Sequence, residues 1–224
     1  MIKGLYALPP DVGAYLARIG LAPEDFRRAM HLELPPSPTD YSIPHTKESL
    51  DLLVHAHLFH VPFENIDGYD LHREVSLEIP DIFDKIVTRR RGGYCFELNA
   101  LFSALLEALG FSCYAVGQRV LREGSFPPVS HRVTVVTLPQ SGERVLCDIA
   151  FGGPSPVTAL YLDRPEVRVL MDRFGYRGWD LEEILSLVSI KYEEHMEERA
   201  GFPHEIGLFL GYPVGDVEAF VKNR

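Results

Sequence analysis

Three residues of this sequence have the means for covalent chemistry together: Cys95, His131 and Asp148. Cys95 follows Arg91-Gly92-Gly93-Tyr94 and stands just before an apolar run with helical spacing. A thiol at a helix start meets amide groups that have no partner inside the helix, and these favour the thiolate, the nucleophilic form. The same amides suit the oxyanion that forms during acyl transfer. His131 opens a segment rich in β-formers, and Asp148 lies near the end of the next one. An imidazole steadied by a carboxylate and brought beside a thiol takes its proton, giving a thiolate–imidazolium pair for nucleophilic catalysis. Each residue also has a plainer reading: Cys95 as inert packing, His131 as a strand-end histidine, Asp148 as a turn-capping acid. Spacing by itself does not choose between them.

The elements that must position these groups are legible from periodicity. His131 to Leu138 and Glu143 to Ile149 read as strands, with Pro139-Gln140-Ser141-Gly142 as the loop of a hairpin. If Leu138 faces Glu143, then Asp148 faces Val133, one pair along from His131 and on the same face. A slip of one residue would separate the two side chains. Phe111 to Leu121 is a further strand. Upstream, the spacing predicts helices over Asp11 to Gly20, Lys47 to His60 and Glu78 to Arg89. Leu98, Leu101, Phe102, Leu105, Leu106 and Leu109 mark the helix that follows Cys95, and Gly110 ends it. Asp180-Leu181-Glu182-Glu183 has the form of a capping box and opens a further helix that Gly201 closes. The whole reads as α+β.

The 224 residues, 46% hydrophobic and 24% charged, describe an ordinary globular chain with enough length for a substantial core. The net charge of −10 opposes binding to phosphate backbones, so nucleic acid is not an expected partner. No apolar run approaches the roughly 18 residues that span a bilayer, and residues 1–10 lack a signal pattern. A cytoplasmic protein with no membrane partner is expected. The three cysteines, Cys95, Cys113 and Cys147, are odd in number and widely spaced, which suits neither a disulfide framework nor a zinc ribbon.

The stretch Arg90-Arg91-Gly92-Gly93-Tyr94-Cys95-Phe96-Glu97, the later His131, and Asp148-Ile149-Ala150-Phe151-Gly152-Gly153 resemble the arylamine N-acetyltransferases. Tyr15-Leu16-Ala17-Arg18-Ile19-Gly20, Ala56-His57-Leu58 and Val61-Pro62-Phe63-Glu64-Asn65-Ile66-Asp67 support the resemblance, which covers about residues 10–162. It implies a helical bundle (1–110) carrying the nucleophile Cys95, then an antiparallel β-barrel domain (111–164) carrying His131 and Asp148, in a cysteine-proteinase-like arrangement. It further implies a ping-pong reaction in which Cys95 takes acetyl from acetyl-CoA and gives it to an aromatic amine or hydrazine, with no metal. By the same resemblance Phe151 lines the acceptor pocket, and Ser130 and Gly152 lie near the cofactor. The sequence departs from the family at Ala150, where a glycine is usual, and at Arg132, where an apolar residue is usual.

From about residue 165 the chain does not resemble the family's third domain. Phe202 to Pro213 and Asp216 to Phe220 instead resemble the C-terminal part of an uncharacterised bacterial family, giving a helical tail over 165–224. Without a covering domain, weak transfer and a raised share of acetyl-CoA hydrolysis are expected. Two other readings stand beside the first. The same three groups serve any thiol acyl transfer, transglutaminase-like or peptidase-like; or the chain is a catalytically weak interaction module that docks through its acidic tail. The tail from Asp180 to Arg224 holds 4 basic and 10 acidic residues, which disfavours DNA as its partner. His55, His57, His60 and Glu64 offer a weak metal-site pattern, since only His57 and His60 share a helix face. Arg89 to Arg91 suit either cofactor phosphates or neighbouring carboxylates.

Overall fold

The computed structural model describes residues 7–31, 41–119, 128–151, 160–161, 165–176 and 214–222, with scattered positions between 187 and 204. Helix α1 (Val12–Arg18) starts where the Asp11 carboxylate accepts from the Ala14 amide at 2.9 Å, and it stops before Gly20, which takes φ 73°. Helix α2 (Pro23–Ala29) opens on a proline at its first position, a placement that fixes φ without losing a hydrogen bond. Helix α3 (Lys47–His60) is capped by the Thr46 hydroxyl and gives way to the extended backbone of Val61 before Pro62. The short α4 (Ile66–Tyr69) buries none of its residues. Neither α2 nor α4 was expected from periodicity.

The helix expected over Glu78 to Arg89 is two pieces. Helix α5 (Ile79–Phe83) runs into a wide π-helical turn, Asp84–Thr88, closed by the Arg89 amide on the Asp84 carbonyl at 2.8 Å. The wider turn leaves the Ile86 carbonyl to a side chain of another helix: Arg18 donates to it at 2.9 Å.

Helix α6 (Cys95–Ala108) is the axis of the main core, with Leu98, Ala100, Leu101, Phe102, Ala104, Leu105 and Leu106 fully enclosed. Around it pack Tyr15 of α1 and Ile19 just after it, Leu50, Leu53 and Val54 of α3, Ile82 of α5, Ile86 of the wide turn, and one face of the sheet through Val136, Val145 and Cys147. Burial of this apolar set, at roughly 25 cal/mol per Å², is the principal term holding the helices to the sheet.

The sheet is antiparallel with strands in sequence order: β1 (Ser112–Gln118), β2 (His131–Thr137), β3 (Arg144–Cys147) and β4 (Leu160–Tyr161). The hairpin register is the expected one, with Thr134 opposite Cys147 and the Leu138 amide on the Glu143 carbonyl. Gly142 takes φ 72° in the connecting turn. The expected β-barrel is corrected here: among the described residues the sheet is open, running β1 to β4 without pairing back on itself. Closure needs strands enough to wrap around, and the four strands among the described residues, the last only two residues long, do not supply them. The outer face carries its own small cluster of Val133, Val135 and Leu146.

In the tail, α7 (Pro165–Arg173) and α8 (Val214–Lys222) share a third cluster of Leu170, Met171, Tyr176 and Val217, with Arg173 bonded to Glu218. Most of the helix expected over Asp180 to Gly201, and most of Phe202 to Pro213, lie outside the described residues.

Candidate active site

Cys95 is the first residue of α6, His131 the first of β2, and Asp148 follows the last residue of β3. The fold brings the three together. His131 Nε2 lies 2.7 Å from Asp148 Oδ2, and Cys95 stands close enough to the ring to act on its charge. With Nε2 on the carboxylate, Nδ1 is the nitrogen left to face sulfur. All three are buried, Cys95 at 8% exposure. Burial alone would push the His131 pKa down, but the hydrogen bonds to Asp148 and Cys95, with the charge of both, outweigh it and raise it to about 9. The imidazolium is therefore the favoured form of this ring at neutral pH.

The loop that delivers Cys95 is held from three sides. Residues 92–95 run beside 62–64: the Glu64 amide donates to the Gly93 carbonyl at 2.9 Å, and Phe63 and Gly93 form a parallel bridge. Gly92 and Gly93 are not among the glycines with positive φ, so their role is close approach rather than a tight turn. A Cβ on Gly92 would stand 2.1 Å from the Pro62 carbonyl oxygen, and one on Gly93 would stand 3.1 Å from the Glu97 carboxylate.

Below this loop lies a cluster of charges. Lys85 Nζ meets Glu97 Oε1 at 2.8 Å and Asp67 Oδ2 at 3.0 Å, while Arg91 meets Glu64 at 2.8 Å and Asp67 at 2.9 Å. Glu97 also accepts from the Tyr94 amide at 3.1 Å, which ties the cluster to the first turn of α6. The bonds from Arg91 and Lys85 hold the Asp67 carboxyl at a pKa of about 2. For Lys85, burial pulls the pKa down, but Glu97 and Asp67 overcome it and hold the ammonium above its ordinary range. From the third side, Arg18 donates to the carbonyls of His60, Arg90 and Arg91 as well as Ile86, pinning the end of α3 and the wide turn to the loop.

The remaining candidates fall as follows. The Phe151 ring stands edge-on to His131 at 5.3 Å and is 43% exposed, so it forms a wall at the mouth of the site. The Ser130 carbonyl accepts from Cys95 Sγ at 3.7 Å. Gly152 lies outside the described residues. His57 is enclosed, bonded through Nε2 to the Tyr15 hydroxyl at 2.9 Å, and burial with the nearby Arg18 charge lowers its pKa to about 3. His60 turns Nδ1 to the Ala56 carbonyl and His55 stacks on Phe59, so the three histidines do not converge. Arg91 and Arg89 are both paired with carboxylates, Arg89 with Asp84 at 2.8 Å. Burial pushes the Cys113 thiol up to about 12 and that of Cys147 higher, leaving neither as a nucleophile near neutral pH.

Sequence reasoning missed Asn99, which donates to Asp148 Oδ1 at 3.3 Å and to the Arg132 carbonyl at 2.6 Å. The signal was available: a polar residue one turn after Cys95, amid the apolar positions of a core helix, has to find partners inside. Lys85 and Glu97 were likewise unforeseen as a buried pair.

A family model described as N-acetyltransferase matches residues 46–196. An arylamine N-acetyltransferase of Mycolicibacterium smegmatis is 35% identical over 162 residues, which is 70% of this chain and 52% of that protein. An arylamine N-acetyltransferase / N-hydroxyarylamine O-acetyltransferase of Salmonella typhimurium is 39% identical over 119 residues, 52% of this chain and 41% of that one. The arylamine N-acetyltransferase of Mycobacterium marinum in complex with CoA superposes with a TM-score of 0.56 at 31% identity, covering 68% of this chain and 51% of its own. The chain thus spans about half the length of the curated relatives it matches. A matching family model over two thirds of the residues, with the fold of the solved enzymes around the thiol, leads to one assignment: this chain belongs to the N-acetyltransferase family.

Proposed function

We propose that the chain transfers an acetyl group from acetyl-CoA to an aromatic amine or hydrazine through a thioester on Cys95. The observation that carries this reading is the convergence of the Cys95 thiol, the His131 ring and the Asp148 carboxylate at the start of α6. The names of the relatives as arylamine N-acetyltransferases, and the CoA bound to one solved neighbour, support the choice of donor and acceptor.

In the first half-reaction the proton shared by Cys95 and His131 rests on the ring, and the thiolate sulfur attacks the acetyl carbonyl carbon of acetyl-CoA. The carbon–sulfur bond to CoA then breaks, and the departing CoA thiolate takes the proton back from His131. Acetyl-Cys95 and free CoA result. In the second half, the amine nitrogen attacks the thioester carbonyl, His131 accepts the amine proton, and Cys95 leaves as the thiol once that proton returns to sulfur. Asp148 holds the imidazole and offsets its charge throughout. The first-turn amides of α6 point their partial positive charge toward the developing oxyanion.

In this reading Phe151 offers its exposed face to the acceptor ring, and Ser130 lies near the cofactor. The helical residues 1–110 and the sheet residues 111–164 contribute the nucleophile and its base respectively, and 165–224 form the tail. The test is isotope exchange. Ping-pong chemistry predicts that labelled CoA exchanges into acetyl-CoA without any amine present, and that an arylamine then diverts the acetyl group. Exchange that requires the amine, or none at all in wild type, would overturn the proposal.

A further inference from the structure

Three residues of α6 at intervals of four, Cys95, Asn99 and Ser103, each meet β2 or its lead-in. Cys95 Sγ donates to the Ser130 carbonyl, Asn99 Nδ2 to the Arg132 carbonyl, and the Ser103 hydroxyl bonds the Thr134 hydroxyl at 2.7 Å. Four helical residues rise about 6.0 Å and two strand residues about 6.7 Å, so the two elements stay in step along this polar line. Asn99 is the member that reaches further. It is fully enclosed, its second contact is the Asp148 oxygen that His131 does not use, and its own oxygen accepts from the Ile149 amide at 3.4 Å. The same Asp148 oxygen takes the Ala150 amide at 3.1 Å.

We propose that Asn99 is a positioning residue that fixes Asp148 for His131 and sets the nucleophile helix in register with the strand that carries the base. It rests on the reading of Cys95, His131 and Asp148 as the reacting groups. The Asn99 side chain is bonded at once to the backbone ahead of β2's core pairs, to the carboxylate, and to the backbone after it, so removing it loosens the hold on the carboxylate. The contrary role is polarisation only, in which Asn99 merely draws charge from an already fixed carboxylate. The two roles differ in sign. Losing the position weakens the Asp148–His131 bond and lowers the midpoint of the ring, whereas losing polarisation alone strengthens that bond and raises it. The titratable groups that act on His131 are Asp148 and Cys95.

The experiment is a nuclear magnetic resonance titration of the His131 ring together with the rate of Cys95 alkylation by iodoacetamide at pH 7. It compares wild type with Asn99→Leu, which keeps the volume but removes the donors, and with Ser103→Ala, which loses a buried hydrogen bond without touching Asp148. In Asn99→Leu the midpoint is expected to fall by about one unit or more, and alkylation to slow about three- to tenfold. Ser103→Ala is expected to lower stability and move neither reading. If Asn99→Leu does not fold, Asn99→Ser is read in the same way, because its short hydroxyl cannot span the three partners. A midpoint that stays or rises in the Asn99 variants overturns the proposal. Both readings need no acetyl donor, so wild type failing the exchange test would overturn the acetyl-transfer reading and leave this one to be decided separately.

Discussion

Replacing Lys85 with methionine tests whether the buried charges below the nucleophile hold it in place. Lys85 is 5% exposed and Glu97 2%, and their atoms meet at 2.8 and 3.1 Å. Methionine fills the same space and removes the ammonium. Asp67 and Glu64 retain Arg91, but Glu97 keeps only the Tyr94 amide and becomes an uncompensated buried carboxylate. Breaking a buried pair in this way costs about 3–5 kcal/mol; the surviving amide bond places this case near 3. For a chain whose urea dependence is about 2 kcal/mol per M, the midpoint of unfolding falls by about 1.5 M. Adding Glu97→Gln removes the stranded charge and recovers about 1–2 kcal/mol of that loss, because the amide still accepts from Tyr94. Circular dichroism in urea reads both values. A fall below about 0.5 M for Lys85→Met, or a double variant less stable than the single one, would refute the reasoning that Glu97 depends on Lys85 for its charge.

Close packing of the loop makes Gly92→Ala costlier than Gly93→Ala: the first sets a methyl group 2.1 Å from a backbone oxygen, the second 3.1 Å from a side chain that can shift. The expected losses are roughly 3 and roughly 1 kcal/mol, read as the order of the two melting temperatures. His57, with its pKa near 3, is expected to show no titration of its ring resonances between pH 5 and 8. Stability should follow pH in two directions. Asp67, depressed to about 2, contributes fully above its unfolded pKa near 3.8, and its contribution is lost as pH falls toward 2. His131, raised to about 9, contributes fully below its unfolded pKa near 6.5, and its contribution is lost as pH rises through 9. His57, lowered to about 3, contributes fully above its unfolded pKa near 6.5 and progressively less as pH falls from there toward 3, so urea midpoints across pH should peak near 6.5.

What the sequence made legible was whatever a local period or a fixed turn determines. The α6 repeat and the four-residue hairpin loop set the helix and the register, and the register alone placed Asp148 beside His131. What it concealed depends on partners distant along the chain. Helix α2 has one large buried residue, Phe26, and α4 has none, so neither leaves an apolar stripe to read. The wide turn after α5 leaves the Ile86 carbonyl to Arg18, a partner 68 residues away that no local period reveals. The neighbour that requires a glycine at position 92, Pro62, is 30 positions upstream and invisible to local reading. Barrel closure was expected from a resemblance, whereas among the described residues the sheet runs open from β1 to β4.

The central claim is that Cys95 carries the acyl group with His131 as its proton partner. Incubating the protein with acetyl-CoA alone, quenching in acid and mapping the peptides by mass tests it directly. The account predicts one acetyl group per chain, on Cys95, absent in Cys95→Ala and formed far more slowly in His131→Gln. An acetyl group that appears on other residues only, or that forms on Cys95 equally fast without His131, would contradict it.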